Sequence, residues 1–190
     1  MRHTYYYLFP ALWIAWAAYW WLMANDVKAT AQRESFASRL AHVLPLSLAA
    51  ILFANDHLPV PALNRVLIPQ TPLSFMVGAF LTAAGLLFAV WARRVIGRNW
   101  SASVTVKQDH ALITSGPYEW VRHPIYTGLL AALIGSAIAL GMVRAVVAVV
   151  IAFVAISYKL RVEERVMLEQ FGDAYRAYCA RVPRLVPFIR

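Results

Sequence analysis

The sequence contains one cysteine, Cys179, among 190 residues. A lone cysteine excludes an intrachain disulfide framework and any cysteine-based metal cluster. Cys179 reads as a small residue near the C-terminus. Acidic residues are also scarce: nine Asp and Glu stand against eighteen Lys and Arg, and the four types together make up 14% of the chain. That is well below the ordinary quarter. With 61% hydrophobic residues, the deficit excludes a disordered chain and argues for membrane integration. A P-loop, a Rossmann glycine pattern and a nucleophile elbow are all missing, and no His, Cys or carboxylate pair has metal-ligand spacing. No metal is expected. No cleavable signal is expected either, because the first apolar run is too long and aromatic and no small-residue cleavage site follows it. Internal repeats and low-complexity tracts are absent, and the length suits one domain.

What is present is apolar sequence in blocks. Residues 3–25, 40–55, 66–92 and 123–143 contain no Asp, Glu, Lys or Arg, and a shorter block covers 145–158. About 20 apolar residues span the hydrocarbon core. The first and third blocks satisfy this alone. The second holds Pro45, which predicts a kink, and Arg39 can extend it by snorkelling. The last two flank Gly141 to Arg144 and predict a helical hairpin with a tight turn. The expectation is an all-α integral membrane protein of about five transmembrane helices, the last two forming a somewhat short hairpin.

Charge placement gives orientation. With the C-terminus in the cytoplasm, five crossings leave only Arg2, Arg65 and Arg144 of the eighteen cations outside. That asymmetry follows the positive-inside rule and accounts for much of the +9 net charge without nucleic acid. Two polar regions, 93–127 and 159–190, then face the cytoplasm together.

The stretch SGPYEWVRHPIYTG, residues 115–128, carries the chemistry. Gly116 and Pro117 mark a turn. His123 precedes proline and is biased toward extended backbone, while Pro124 suits the first position of a helix. The amides of Ile125 and Tyr126 would lie unsatisfied at that N-terminus, which favours an anion. Arg122 adds positive charge, and Tyr118 and Tyr126 add flat faces. The competing reading is an interfacial belt: Pro124 starts a helix, Arg122 meets headgroups and the tyrosines sit at the membrane surface.

A second stretch, SYKLRVEERVMLEQFG, residues 157–172, reads as a charged helix leaving the membrane. Lys159 and Glu163 share a face at a spacing of four. Adjacent Glu163 and Glu164 point about 100° apart and cannot share one role: one can face a pocket while the other pairs with an arginine. Carboxylates this close to a bilayer hint at function, although a charge run is commonly a solvated face. Phe171 and Gly172 predict a helix end, with Asp173 capping the next helix. In the tail, Tyr175 and Tyr178 share a face, Pro183 and Pro187 break the helix, and Arg181 and Arg184 are expected at lipid headgroups. His42 lies inside the second block, where a helix–helix hydrogen bond is expected.

These pieces, DHALITSGPYEWVRHPIYTG followed by EE and LEQFGDAYRAYCARVPRLVP, resemble the isoprenylcysteine carboxyl methyltransferase family and its phospholipid methyltransferase relatives. The resemblance covers roughly residues 97–188, and the ordered combination of GPY, RHPxY, EE and FGxxYxxY is specific. It implies one membrane domain over 1–190, with N-terminal transmembrane helices in 1–92 and a methyltransferase core in 93–190. It further implies an S-adenosylmethionine pocket at the cytoplasmic surface, contacted by His110, Leu112, Ile113, Tyr118, His123, Pro124, Tyr126 and Glu163. Ala111 and Ile125 lie in the same motifs, and Arg122 stands beside them. The family places an arginine four residues before the glutamate, on the acceptor side. This chain has Lys159 there, with Arg161 two residues on, and lysine lacks the planar fork. The implied reaction methylates the carboxylate of a prenylated cysteine or a similar lipid-tailed acceptor, positioned by Lys159 or Arg161. A nitrogen or sulfur acceptor would need His123 or Glu164 as base. A membrane scaffold or lipid-binding protein without catalysis is the non-enzymatic alternative. Oligomeric state stays open.

Overall fold

The computed structural model describes residues 2–23, 30–33, 36–55, 58–100, 105–107 and 112–187. Six helices dominate: α1 (Arg2–Met23), α2 (Phe36–Ala54), α3 (Pro72–Ile96), α4 (Pro124–Leu140), α5 (Val143–Phe171) and α6 (Asp173–Arg181). The all-α expectation holds for the bulk of the chain. Among the described residues, a short antiparallel ribbon pairs β1 (Thr30–Arg33) with β2 (Thr105–Lys107). Proline and capping residues set several starts. Thr71 caps α3 through a reciprocal capping box with Ser74, and α4 opens at Pro124 with His123 as its N-cap, as expected. α2 runs on through Pro45.

Among the described residues, Phe36–Ala54, Pro72–Asn99 and Val143–Phe171 are long and apolar enough to cross a membrane. The chain is thus an integral membrane protein by length and composition of these helices. α4 is apolar but only 17 residues long. α1 has 22 residues, and the aromatic residues Tyr5–Tyr7 near its start and Tyr19–Trp21 near its end suit the two membrane interfaces.

α3 and α4 form the tightest crossing, and the reason is glycine. Gly78 and Gly85 on α3 face Gly135 and Gly128 on α4. A β-carbon built at Gly85 would lie 2.5 Å from the Gly128 carbonyl oxygen and 2.7 Å from the Ala132 nitrogen. Small residues let transmembrane backbones approach where no hydrophobic force separates helix from lipid. Polar groups tie the same layer: Thr82 Oγ1 donates to the Ala132 carbonyl at 3.2 Å, and Trp13 Nε1 of α1 donates to Ser136 Oγ at 3.1 Å. The hairpin between α4 and α5 turns at Gly141, whose φ of +69° is a left-handed conformation that glycine adopts without strain. α2 packs on α5, and α1 lies along α3 and α4.

Two arginines that flank the apolar blocks, and that the charge count treats only as markers of membrane side, are buried. Arg144 is fully buried, and its Nη1 donates to the carbonyls of Leu52, Phe53 and Asn55 at 2.7, 3.0 and 2.9 Å. The last carbonyls of a helix have no partner within it, so a cation at that end supplies both donors and favourable charge. Arg93 does the same at the opposite end, donating to Gly97 O at 2.7 Å and Met23 O at 2.8 Å. Arg144 therefore fastens the end of α2 to the start of α5, and Arg93 fastens the end of α1 to the end of α3. Together with the antiparallel α3–α4–α5 run, these clamps make successive helices alternate in direction. Arg144→Leu is expected to cost about 3 kcal/mol, since a charged donor to several buried carbonyls is lost. Thermal unfolding in detergent reads this. Exposed Arg65→Gln should stay within about 0.5 kcal/mol.

Candidate active site

The alternation of helices brings the start of α4, the charged half of α5 and α6 to one end of the bundle. A 3-10 turn at Gly116–Glu119 leads into the Arg122-His123-Pro124 segment. Tyr118 is buried there: its ring packs with Ala92 and Ile125, its hydroxyl donates to Ala92 O at 3.4 Å, and its carbonyl accepts from Tyr178 Oη at 2.6 Å. Tyr118 is therefore a wall that ties α6 to α3, not an open aromatic face. Pro124 and Ile125 are buried as well. Ile113 packs against this cluster, and Leu112 packs against Tyr175, Tyr178 and Val182. His110 and Ala111 lie outside the described residues.

Glu163 and Glu164 divide as their angular separation predicts. Glu164 is the centre of an ion-pair junction. Its Oε1 accepts from Arg122 Nε at 3.1 Å, Arg122 Nη2 at 2.9 Å and His123 Nε2 at 3.1 Å, and its Oε2 pairs with Arg184 Nη2 at 3.3 Å. The residue lies beyond the charge-free part of α5, on the helix's polar extension. Burial pushes its carboxyl up, but the His123 hydrogen bond and the charges of His123, Arg122 and Arg184 prevail and hold it at about 2. Such a carboxylate is a poor proton acceptor near neutrality, so the expected role of Glu164 as a base does not fit its surroundings.

Arg122 is equally committed. Its Nη1 donates to Cys179 O at 3.1 Å and Val182 O at 3.0 Å, and Nε and Nη2 go to Glu164. Four of the five guanidinium donors are thus used by protein groups. Arg122 was expected beside a cofactor anion, and the structure makes it a bolt between α5 and the tail.

Glu163 faces the first turn of α4. Tyr126 Oη donates to its Oε1 at 2.7 Å, and Lys159 Nζ sits 3.9 Å from the same oxygen. Its Oε2 lies 3.7 Å from His123 Nδ1, too long for a good hydrogen bond. Lys159 also stands 5.7 Å from the Tyr126 ring centroid, within cation–π range. Arg161 is exposed. It projects about 200° round the helix from Lys159, away from this group.

The structure thus brings together His123, Tyr126, Lys159 and Glu163, with Arg122 and Glu164 behind them. The sequence reading missed Arg184, placed at headgroups but paired with Glu164, and the tail backbone. Arg122 N donates to Pro183 O at 2.8 Å, His123 N to Arg184 O at 3.2 Å, and Thr127 Oγ1 to Leu185 O at 2.7 Å. No side-chain pattern announces carbonyl acceptors. The two tail prolines were the only signal, since they forbid helix and leave carbonyls outward. The face shared by Tyr175 and Tyr178 is buried, and Asp173 begins α6 beside Arg176, 2.6 Å away, instead of capping it.

The model of the phospholipid methyltransferase family matches residues 73–174, which contain α3, α4, α5 and this group of side chains. The protein-S-isoprenylcysteine O-methyltransferase of Schizosaccharomyces pombe is 29% identical over 136 residues, covering 67% of this chain and 58% of the relative. That of Xenopus laevis is 31% identical over 158 residues, covering 80% of this chain and 53% of the relative. The fold is similar to the solved structure of the eukaryotic intramembrane Ras methyltransferase, isoprenylcysteine carboxyl methyltransferase, with a TM-score of 0.58 and 25% identity over 84% of this chain and 55% of that one. The chain spans about half the length of the relatives it matches. With more than half of its residues inside the family model, including the whole Arg-His-Pro and Glu-Glu framework, the chain belongs to the phospholipid methyltransferase family.

Proposed function

We propose that the protein is an S-adenosylmethionine-dependent membrane methyltransferase acting on the carboxylate of a lipid-tailed acceptor, a C-terminal isoprenylated cysteine being the preferred class. The observation that carries this reading is the convergence of His123, Tyr126 and Glu163 at the first turn of α4. Those residues fit the cofactor's chemistry. S-Adenosylmethionine supplies an electrophilic methyl on a cationic sulfonium and also bears an ammonium, a carboxylate and an adenine. Among the described residues, the Oε2 of Glu163 has a long contact to His123, and it suits an ammonium or a ribose hydroxyl. The amides of Ile125 and Tyr126 lie where helix geometry provides no internal acceptor, which suits a carboxylate. Tyr126 offers an aromatic face to a cation, and Leu112 and Ile113 supply apolar walls.

Lys159, rather than Arg161, orients the acceptor carboxylate, because only Lys159 stands on the site face of α5. The spent state of Glu164 favours an acceptor that is already ionised. A carboxylate needs positioning and desolvation, whereas an amine or thiol needs a base, and Glu164 does not offer one. We further propose five membrane passes with the C-terminus in the cytoplasm and one domain over 1–190. The alternating helix directions and the outward paucity of Lys and Arg support this topology.

The test is the product. Radiolabelled S-adenosylmethionine and farnesylcysteine, incubated with the detergent-purified protein, should give label that alkali releases as methanol. Label that resists alkali would mean a methylated nitrogen or sulfur and would end the ester reading.

A further inference from the structure

More ionic contacts converge on Glu164 than on any other described carboxylate. The junction joins three separate pieces of chain. Arg122 and His123 come from the loop before α4. Arg184 comes from the tail after α6. Glu164 itself belongs to α5. Arg122 then reaches past it to the carbonyls of Cys179 and Val182, and the amides of Arg122 and His123 donate to Pro183 O and Arg184 O. The tail from Val182 to Leu185 is thereby laid as a strap along the loop that presents His123. The ring of His123 lies between the two glutamates, with Nε2 held by Glu164 and Nδ1 turned toward Glu163. A carboxylate, with acceptor sites only, is the group that can hold three cationic or donor partners at once.

We propose that Glu164 is a positioning residue: it locks the 182–185 strap across the Arg122-His123 loop and thereby fixes the His123 ring against Glu163. It acts through His123 and Arg122 and not on the reacting atoms. This rests on the cofactor reading above for its functional consequence, but the closure of the strap does not.

Two measurements on the full chain separate these parts. The first is limited trypsin digestion, following by mass spectrometry the release of the peptide after Arg184. Cleavage at Arg184–Leu185 requires the strap to lift, because the carbonyls on both sides of that bond are hydrogen-bonded. Glu164→Gln, which removes the charge but keeps the shape, is expected to speed release about tenfold or more, as expected on losing charge-assisted hydrogen bonds. The second is calorimetric titration with S-adenosylmethionine. The same variant should raise its Kd about tenfold while the thermal unfolding transition of the helical core barely moves. Adding Arg184→Gln, which removes the trypsin site, should speed hydrogen exchange of the Arg122 and His123 amides no further than Glu164→Gln alone does, since both changes open one junction. If Glu164→Gln fails to fold, Arg184→Gln is decisive: it removes the trypsin site along with the strap's ion pair, so it is read by hydrogen exchange at the Arg122 and His123 amides, which donate to Pro183 O and Arg184 O and should exchange several-fold faster.

Unchanged release in Glu164→Gln, or unchanged exchange of the Arg122 and His123 amides in Arg184→Gln, would overturn the lock. Faster release with unchanged cofactor affinity would overturn the positioning role and leave a purely structural junction. A native protein that binds no cofactor, yet shows the release effect, would defeat the proposed function and leave the lock standing.

Discussion

Glu163→Ala is expected to weaken S-adenosylmethionine binding by about a hundredfold, with the protein still folded. The estimate follows from one lost charge-assisted interaction with the ligand plus the disruption left behind, about 2.7 kcal/mol in total. Within the protein, the change leaves the Tyr126 hydroxyl without its 2.7 Å acceptor and Lys159 without the carboxylate 3.9 Å away. With that carboxylate gone, Lys159 would also repel the cofactor's ammonium and sulfonium more strongly. Folding should survive, because the Glu163 side chain is 22% exposed and lies on the polar extension of α5 rather than in the helical core. Glu163→Gln keeps an acceptor for Tyr126 and loses the charge, so its affinity should fall between the two. Calorimetry beside a thermal melt is the measurement. Native-like binding by Glu163→Ala would remove this residue from the site.

The second large effect lies far from the chemistry. Gly85→Val should cost about 3 kcal/mol or more, at the severe end of overpacking. Its β-carbon would already sit 2.5 Å from a backbone oxygen of α4, and a helix backbone cannot retreat as a flexible side chain can. The α3–α4 crossing would have to open. Separation there would also shift Trp13, Thr82 and Ser136 out of hydrogen-bond range and carry the start of α4, with His123, away from Glu163. Leu87→Val on the same helix, 68% exposed toward lipid, should stay within about 0.5 kcal/mol. Comparing the two melting temperatures checks the prediction, and equal melting temperatures would refute it.

Several features were legible because they depend on local rules. Charge-free blocks marked the helices, since a bilayer accepts only long apolar segments. Pro124 marked the start of α4, and Gly141 marked the hairpin turn. The angle between adjacent helix positions was enough to separate Glu163 from Glu164. The ordered motifs also placed the chain in its methyltransferase family.

Other features needed the third dimension. Arg93 and Arg144 read as topology-setting charges, yet each caps the carbonyl end of a helix that is remote in sequence. Arg122 read as a ligand for an anion, yet its donors are consumed by Glu164 and by two carbonyls of the tail. Tyr118 read as an open face, and packing against Ala92 closes it. Arg161 and Lys159 looked interchangeable until the helix phase turned one away. Sequence alone thus determined which segments enter the membrane and which residue types meet at one end, because hydropathy and helix periodicity are properties of a single segment. Tertiary structure alone decided which of those charges remain available, because a charge is spent by whatever partner packing brings to it, and backbone carbonyls leave no mark in the sequence.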